Sequence, residues 1–143
     1  MDILTTFRIS ASALKANTIR LNTISSNLAN IETTSTPEGG PYKKKSVYFE
    51  SKPVSFQEQL DSTMKDSVQG VEVTKIIEDP DPPRKVYNPS HPDAAADGYV
   101  EMPNIDVLEE TVDMMSATRA YQANVTTIKS AKRMALKALE IGR

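Results

Sequence analysis

The sequence predicts an α+β protein: long N- and C-terminal helices paired as a coiled-coil-like rod, with a small central β-rich domain. Three observations predict it. All nine prolines lie between Pro37 and Pro103, whereas the 36 residues before and the 40 after hold no proline and one glycine, Gly142. Proline removes a backbone donor and clashes inside a helix, so only the two ends permit long helices. Those ends carry apolar residues every seven positions, the spacing of a helical seam. The centre instead alternates short β-like runs with turn sequences such as Thr33 to Pro41, TTSTPEGGP. The organisation is therefore 1–36 helix, 37–103 β-rich centre, 104–143 helix.

The first helix is expected from Ile3 to Ile31, about 40–45 Å long at ~1.5 Å per residue. Phe7, Leu14, Leu21 and Leu28 form its stripe, with Ser10, Asn17, Ile24 and Ile31 three residues after each. Asn22, Ser25, Ser26, Asn27 and Asn30 are mediocre helix formers. Composition favours a fraying end over the alternative, a polar seam towards a neighbour. In the centre, Lys45–Phe49, Val68–Ile77, Arg84–Tyr87 and Gly98–Met102 read as strands, with Val71, Val73 and Ile76 on one face. Lys43-Lys44-Lys45 reads as a solvated strand end. Ser55 and Glu58 form a capping-box pattern for a short helix through Gln69, bearing Phe56, Leu60 and Met64. A few aromatics, among them Tyr48, Phe49, Tyr87 and Tyr99, are expected to make a small, thin core. The last helix starts at an Asp106 cap with Glu109 placed for a capping box. Acidic residues crowd its beginning and basic ones its end, complementing the helix dipole, and Gly142 marks its stop. Its stripe runs Val107, Met114, Tyr121, Ile128, Ala135, beside Ala117, Ala131 and Ala138.

Such stripes are buried only against other helices. The Ala, Asn and Ser positions remove little area, so one helix pair is weakly stabilised and further helices from other copies are expected to complete the burial. Leu14, Leu21, Ile24, Leu28, Met114 and Ile128 are the apolar candidates for those contacts.

Composition excludes other classes. The formal charge is −2, and no segment has the basic excess of a nucleic-acid footprint: 1–36 carries +1, 37–103 −4 and 104–143 +1. The longest apolar run is three residues, which argues against membrane insertion and a secretory leader. The chain is expected to be cytoplasmic, or exported without a cleaved signal. With no Cys and one His, no thiolate or paired-imidazole site is available. Asp93 and Asp97-Gly98 lack the ligand spacing of a calcium loop. His91 has no nucleophile motif or ligand cluster beside it. Neither catalysis nor a cofactor is expected. A structural assembly protein and a coiled-coil adaptor or secretion-associated binding protein both fit these patterns.

Six stretches carry a resemblance. LNTISSNLAN, Leu21 to Asn30, followed by Thr33-Thr34, is similar to the N-terminal signature of the bacterial flagellar axial family of rod, hook and hook-associated subunits. MPNIDVLEE (Met102 to Glu110) and RAYQAN (Arg119 to Asn124) are similar to its C-terminal signature. GGPYKKKSVYFE, VYNPSHPDAAADGYV and the ending LKALEIGR resemble its proximal rod members. Asn88 stands where the family usually has Asp, and Ser90 where Gly is usual; both changes suit a turn. The resemblance implies a non-catalytic basal-body rod subunit whose terminal helices stack with copies of itself and other rod proteins into a tube. It also implies export through the flagellar type III apparatus without a cleaved signal. Asn27, Asn30, Asn104, Arg119, Tyr121, Gln122 and Asn124 match the shared signature and are implied subunit-contact residues. Phe56 and Leu60 fit the loose Phe-x-x-x-hydrophobic export-gate pattern of some relatives, and suit a helix face equally well.

Overall fold

The computed structural model describes residues 3–53 and 69–141. Its elements are α1 (Ile3–Ala29), β1 (Lys45–Pro53), β2 (Gln69–Glu78), β3 (Arg84–Tyr87), β4 (Tyr99–Met102) and α2 (Val107–Ile141). The architecture is α+β, with both long helices where proline is absent. Phe56, Leu60 and the expected Ser55–Gln69 helix lie outside the described residues, except for Gln69, which opens β2. Gly142 also lies outside them.

The four strands form two antiparallel pairs, β1–β2 and β3–β4. A two-stranded ribbon is marginal alone and must cover one face. The first pair does so on α1, which packs against both of its strands and, on another side, against α2. Parity along β2 is broken between Val73 and Lys75. Tyr48 pairs with Lys75 and Phe49 with Val73, leaving Thr74 as an extra residue, a β-bulge. The bulge puts Ile76 in phase with Val71 and Val73, opposite Val47, Ser51 and Phe49. Strict alternation would have chosen Lys75 instead. Deleting Thr74 should therefore leave a regular ladder with the same faces and cost under about 1 kcal/mol. Deleting Glu72 should turn Val71 or Val73 outward and cost about 2 kcal/mol or more. Amide exchange of the β1–β2 ladder separates the two cases.

The pair β3–β4 pins the turn-rich stretch between its strands. Tyr87 and Tyr99 are cross-strand partners, and their rings meet edge to face at 5.3 Å. Gly98 has φ +80°, and a Cβ there would sit 2.9 Å from Tyr87 Cε2. Gly98→Ala should cost about 1–2 kcal/mol, from left-handed backbone strain and displacement of the Tyr87 ring. A thermal melt tracked by tyrosine fluorescence checks this.

The core differs from the expected one. The buried apolar residues are Ala16, Ile24, Val100, Ile105, Ala117 and Ala131; Val100 is the one supplied by the strands. Tyr48, Phe49, Tyr87 and Tyr99 are exposed: among the described elements α1 packs on the β1–β2 pair alone, and it leaves these rings uncovered. In α1 the leucine stripe is half-buried, while Ser10, Ala16, Thr23, Ile24 and Asn27 are buried. Small side chains let α2 and the β1–β2 pair approach closely, and the leucines then border the contact. In α2 the buried line is Glu110, Ala117, Ala131, with Asn124 half-buried in phase. Val107 and Tyr121, from the expected stripe, are exposed.

Candidate functional site, a buried polar junction between the two helices

The described residues bury few polar groups, and two of them meet. Asn27, near the end of α1, is 1% exposed, and Glu110, in the first turn of α2, is 2% exposed. Asn27 Nδ2 donates to Glu110 Oε2 at 3.0 Å. The same amide pairs with the Lys45 peptide at the start of β1: Nδ2 donates to the Lys45 carbonyl at 2.9 Å, and Oδ1 accepts the Lys45 N–H at 3.0 Å. Asn27 thus occupies the edge of β1 as another strand's peptide group would. Its Oδ1 also accepts the Tyr42 hydroxyl at 3.1 Å, and that hydroxyl lies 3.2 Å from Ser26 Oγ. Both amide protons and both lone pairs are used.

Lys44 completes the junction. Its Nζ lies 3.1 Å from Glu110 Oε1 and 3.1 Å from Glu109 Oε2. Burial pushes the Lys44 pKa down, but hydrogen bonds to Glu110 and Glu109, and their charges, outweigh it and leave the pKa above its ordinary 10.5. Every described buried side-chain N or O atom has a partner. A second tie, Arg20 to Asp113 at 3.2 Å, lies farther along the same helix pair.

Local sequence explains the placement. Asp106 caps α2, its Oδ1 accepting the Leu108 N–H at 2.8 Å. The expected capping box does not form, because the Glu109 carboxylate turns to Lys44. The Lys43-Lys44-Lys45 run is likewise not a wholly solvated strand end: Lys44 is half-buried between two carboxylates. Asp106 and the two glutamates that follow bring negative charge to the helix N-terminus. Glu110 falls on the buried line seven residues before Ala117, so it points inward.

The other candidate residues divide clearly. Ile24 is buried beside Asn27 on α1. Leu14, Leu21, Leu28, Met114 and Ile128 are half-buried. Arg119, Tyr121, Gln122 and Asn104 are exposed. Asn30 and Asn124 spend their amides locally, donating to the Ser26 and Ala120 carbonyls. Sequence reasoning singled out Asn27 but missed its partners Glu110, Lys44 and Tyr42. The usable signal for Glu110 was its place in the 110–117–124–131 heptad, where an acid stands in line with two alanines. The arrangement holds elements together: it contains no nucleophile–base pair. Among the described residues no group of three or more His, Cys, Asp or Glu could hold a metal, and no helix is long and apolar enough to cross a membrane.

Comparison with known proteins bears on both halves of this junction. Residues 7–35, which include Asn27, match the family model "Flagella basal body rod protein". Residues 96–141, which include Glu110, match "Flagellar basal body rod FlgEFG protein C-terminal". The chain is 48% identical to the flagellar basal-body rod protein FlgC of Bacillus subtilis, covering 94% of this chain and 95% of that one. It is 43% identical to FlgC of Salmonella typhimurium over the full length of both. It is 38% identical to FlgC of Borreliella burgdorferi, covering 99% and 98%. With both ends and the strand-bearing centre matched at such identity, the chain belongs to the FlgC family of flagellar basal-body rod proteins.

Proposed function

We propose that this chain is a structural subunit of the proximal rod of the flagellar basal body, assembling with copies of itself and with other rod proteins into a hollow helical shaft. The observation that carries the reading is the full-length identity to FlgC relatives. The Asn27–Glu110 contact supports it, since it joins the two regions matched by rod-protein family models. The role is architectural, with no catalytic step and no cofactor. In this reading the chain leaves the cytoplasm through the flagellar type III apparatus without a cleaved signal, and Phe56 and Leu60 are candidates for the export-gate contact.

The half-buried stripes give the reading its chemistry. Leu14, Leu21 and Leu28 on α1, and Met114 and Ile128 on α2, are partly covered by the chain's own pair and complete a coiled-coil-like seam against neighbours. Exposed Tyr121, Arg119, Gln122 and Asn104 face those neighbours, with Asn30 and Asn124 at the margins. Asn27 and Ile24 hold the subunit's own helices. The segments 1–36 and 104–143 form the inner wall, and 37–103 the outer layer.

Complementation tests this. In a motile bacterium lacking its FlgC, the chain should restore swarming and appear in the rod of purified basal bodies. A version lacking residues 134–143 should be made but leave rods incomplete. Finding the chain bound to a soluble partner, with complete rods formed without it, would show an adaptor instead.

A further inference from the structure

The turn that follows β3 sets a nucleophile beside a breakable bond. Asn88 precedes Pro89, and proline has no backbone N–H. Asparagines commonly lose their side-chain amide when the next residue's backbone nitrogen attacks the side-chain carbon. Pro89 closes that route, because its nitrogen has no proton to give up. The ring still open to Asn88 forms the other way, by attack of its own Nδ2 on its own main-chain carbonyl carbon. The bond that then breaks is Asn88–Pro89, a tertiary amide.

The fold prepares that carbonyl. Asn88 to His91 form a β-turn in which the His91 N–H donates to the Asn88 carbonyl oxygen at 3.2 Å. A fixed donor on this oxygen draws electrons from the carbon and stabilises the negative charge that an attack puts on the oxygen. The Asn88 N–H donates to the Gly98 carbonyl at 3.0 Å, and the Tyr87–Tyr99 pair anchors the residue before it. Both main-chain polar groups of Asn88 are therefore held. Its side chain is exposed and makes no hydrogen bond among the described residues. Asn17, Asn27, Asn30 and Asn124, by contrast, all commit Nδ2 to acceptors. Pro89 and Ser90 are exposed as well, so water reaches the turn.

We propose that Asn88 cuts its own chain at this turn. Nδ2 bonds to the Asn88 carbonyl carbon, the bond from that carbon to the Pro89 nitrogen breaks, and Asn88 closes into a succinimide. Water takes a proton from Nδ2 and returns one to the Pro89 nitrogen, which leaves as a secondary amine. Nothing is oxidised or reduced, and each chain reacts once. The cut puts β3 and Asn27 on residues 1–88, and β4 and Glu110 on residues 89–143. The β3–β4 ladder and the Asn27–Glu110 bond then join the two pieces, and the subunit persists as a nicked pair. The cut does not depend on the rod role, and the rod role does not require the cut.

Mass spectrometry of the purified full chain, incubated in neutral and in mildly alkaline buffer, tests this. Fragments 1–88 and 89–143 should accumulate, faster in alkali. The first should initially be one water lighter than a hydrolysed product, and the second should begin at Pro89. Gel filtration without denaturant should show the two eluting together. In urea, which melts the turn and frees the carbonyl from its donor, cutting should slow by about tenfold or more. Asn88→Asp lacks the nitrogen nucleophile and Asn88→Gln has to close a larger ring, so both should stay whole while keeping the wild-type circular dichroism. Pro89→Gly should redirect the reaction, turning Asn88 into aspartate or its isomer with the chain intact. A wild-type chain that stays whole overturns the proposal. So does cutting undiminished in urea or in Asn88→Gln, or a first fragment that carries a full carboxyl group from the earliest time point.

Discussion

Replacing Asn27 by alanine should cost about 3–4 kcal/mol and lower the melting temperature by roughly 10 °C. One side chain makes the bonds to Glu110, to both polar groups of the Lys45 peptide and to Tyr42. Each is worth ~1 kcal/mol net, and the groups left behind are buried without replacements. For a domain stabilised by about 5–15 kcal/mol, that loss is a large share. Asn27→Asp should be worse at neutral pH, because it puts a second carboxylate about 3 Å from Glu110 and removes the donor to the Lys45 carbonyl. Repulsion raises the carboxyl pKa values in the folded state. A raised acid favours folding while protonated, so the deficit of Asn27→Asp should shrink as pH falls from 7 towards 4. Urea melts at several pH values measure both effects, and a deficit independent of pH would contradict the carboxylate pairing.

Lys44→Met should be the second most damaging change, at about 2–4 kcal/mol. It removes the cation from a carboxylate that is 3% exposed and keeps the burial cost. The double change Lys44→Met/Glu110→Leu should cost less than Lys44→Met alone, because no charge is then stranded. A double-mutant cycle in thermal melts decides this, and additive losses would refute it. The sign of the pH dependence follows from the raised Lys44 pKa. The pair's contribution is fully present below the unfolded value near 10.5 and is lost as pH rises through the higher folded value. The gap between wild type and Lys44→Met should therefore close only in strong alkali.

The long helices were legible because their signals are local. The proline boundary, the Asp106 cap and the seven-residue spacing each act within a few turns, and α1 and α2 lie where these put them. Strand positions were legible to within a few residues, but the bulge at Thr74 was not, since it depends on the partner strand. The exposure of Tyr48 and Tyr87 was also hidden. An aromatic in a strand looks like core until the packing shows which rings a neighbouring element covers. The junction was half legible. Asn27 stood out as a polar residue within a signature, whereas Glu110 looked like one more acid in a helix's first turn. Nothing in the spacing of residues near 110 announces a partner near 27.

That separation bears on the order in which the chain folds. Asn27 meets Lys45 across 18 residues and Tyr42 across 15, but Glu110 across 83. Closing the short loops costs less entropy than closing the long one, and contacts between distant residues slow folding. Loop length alone therefore predicts that the Asn27–Lys45 clasp closes before Glu110 arrives to seal the charge of Lys44, an order that pulse-labelled amide exchange during refolding would check. Until then Asn27 has filled one side of its amide, and the α1 surface destined for α2 stays open to water.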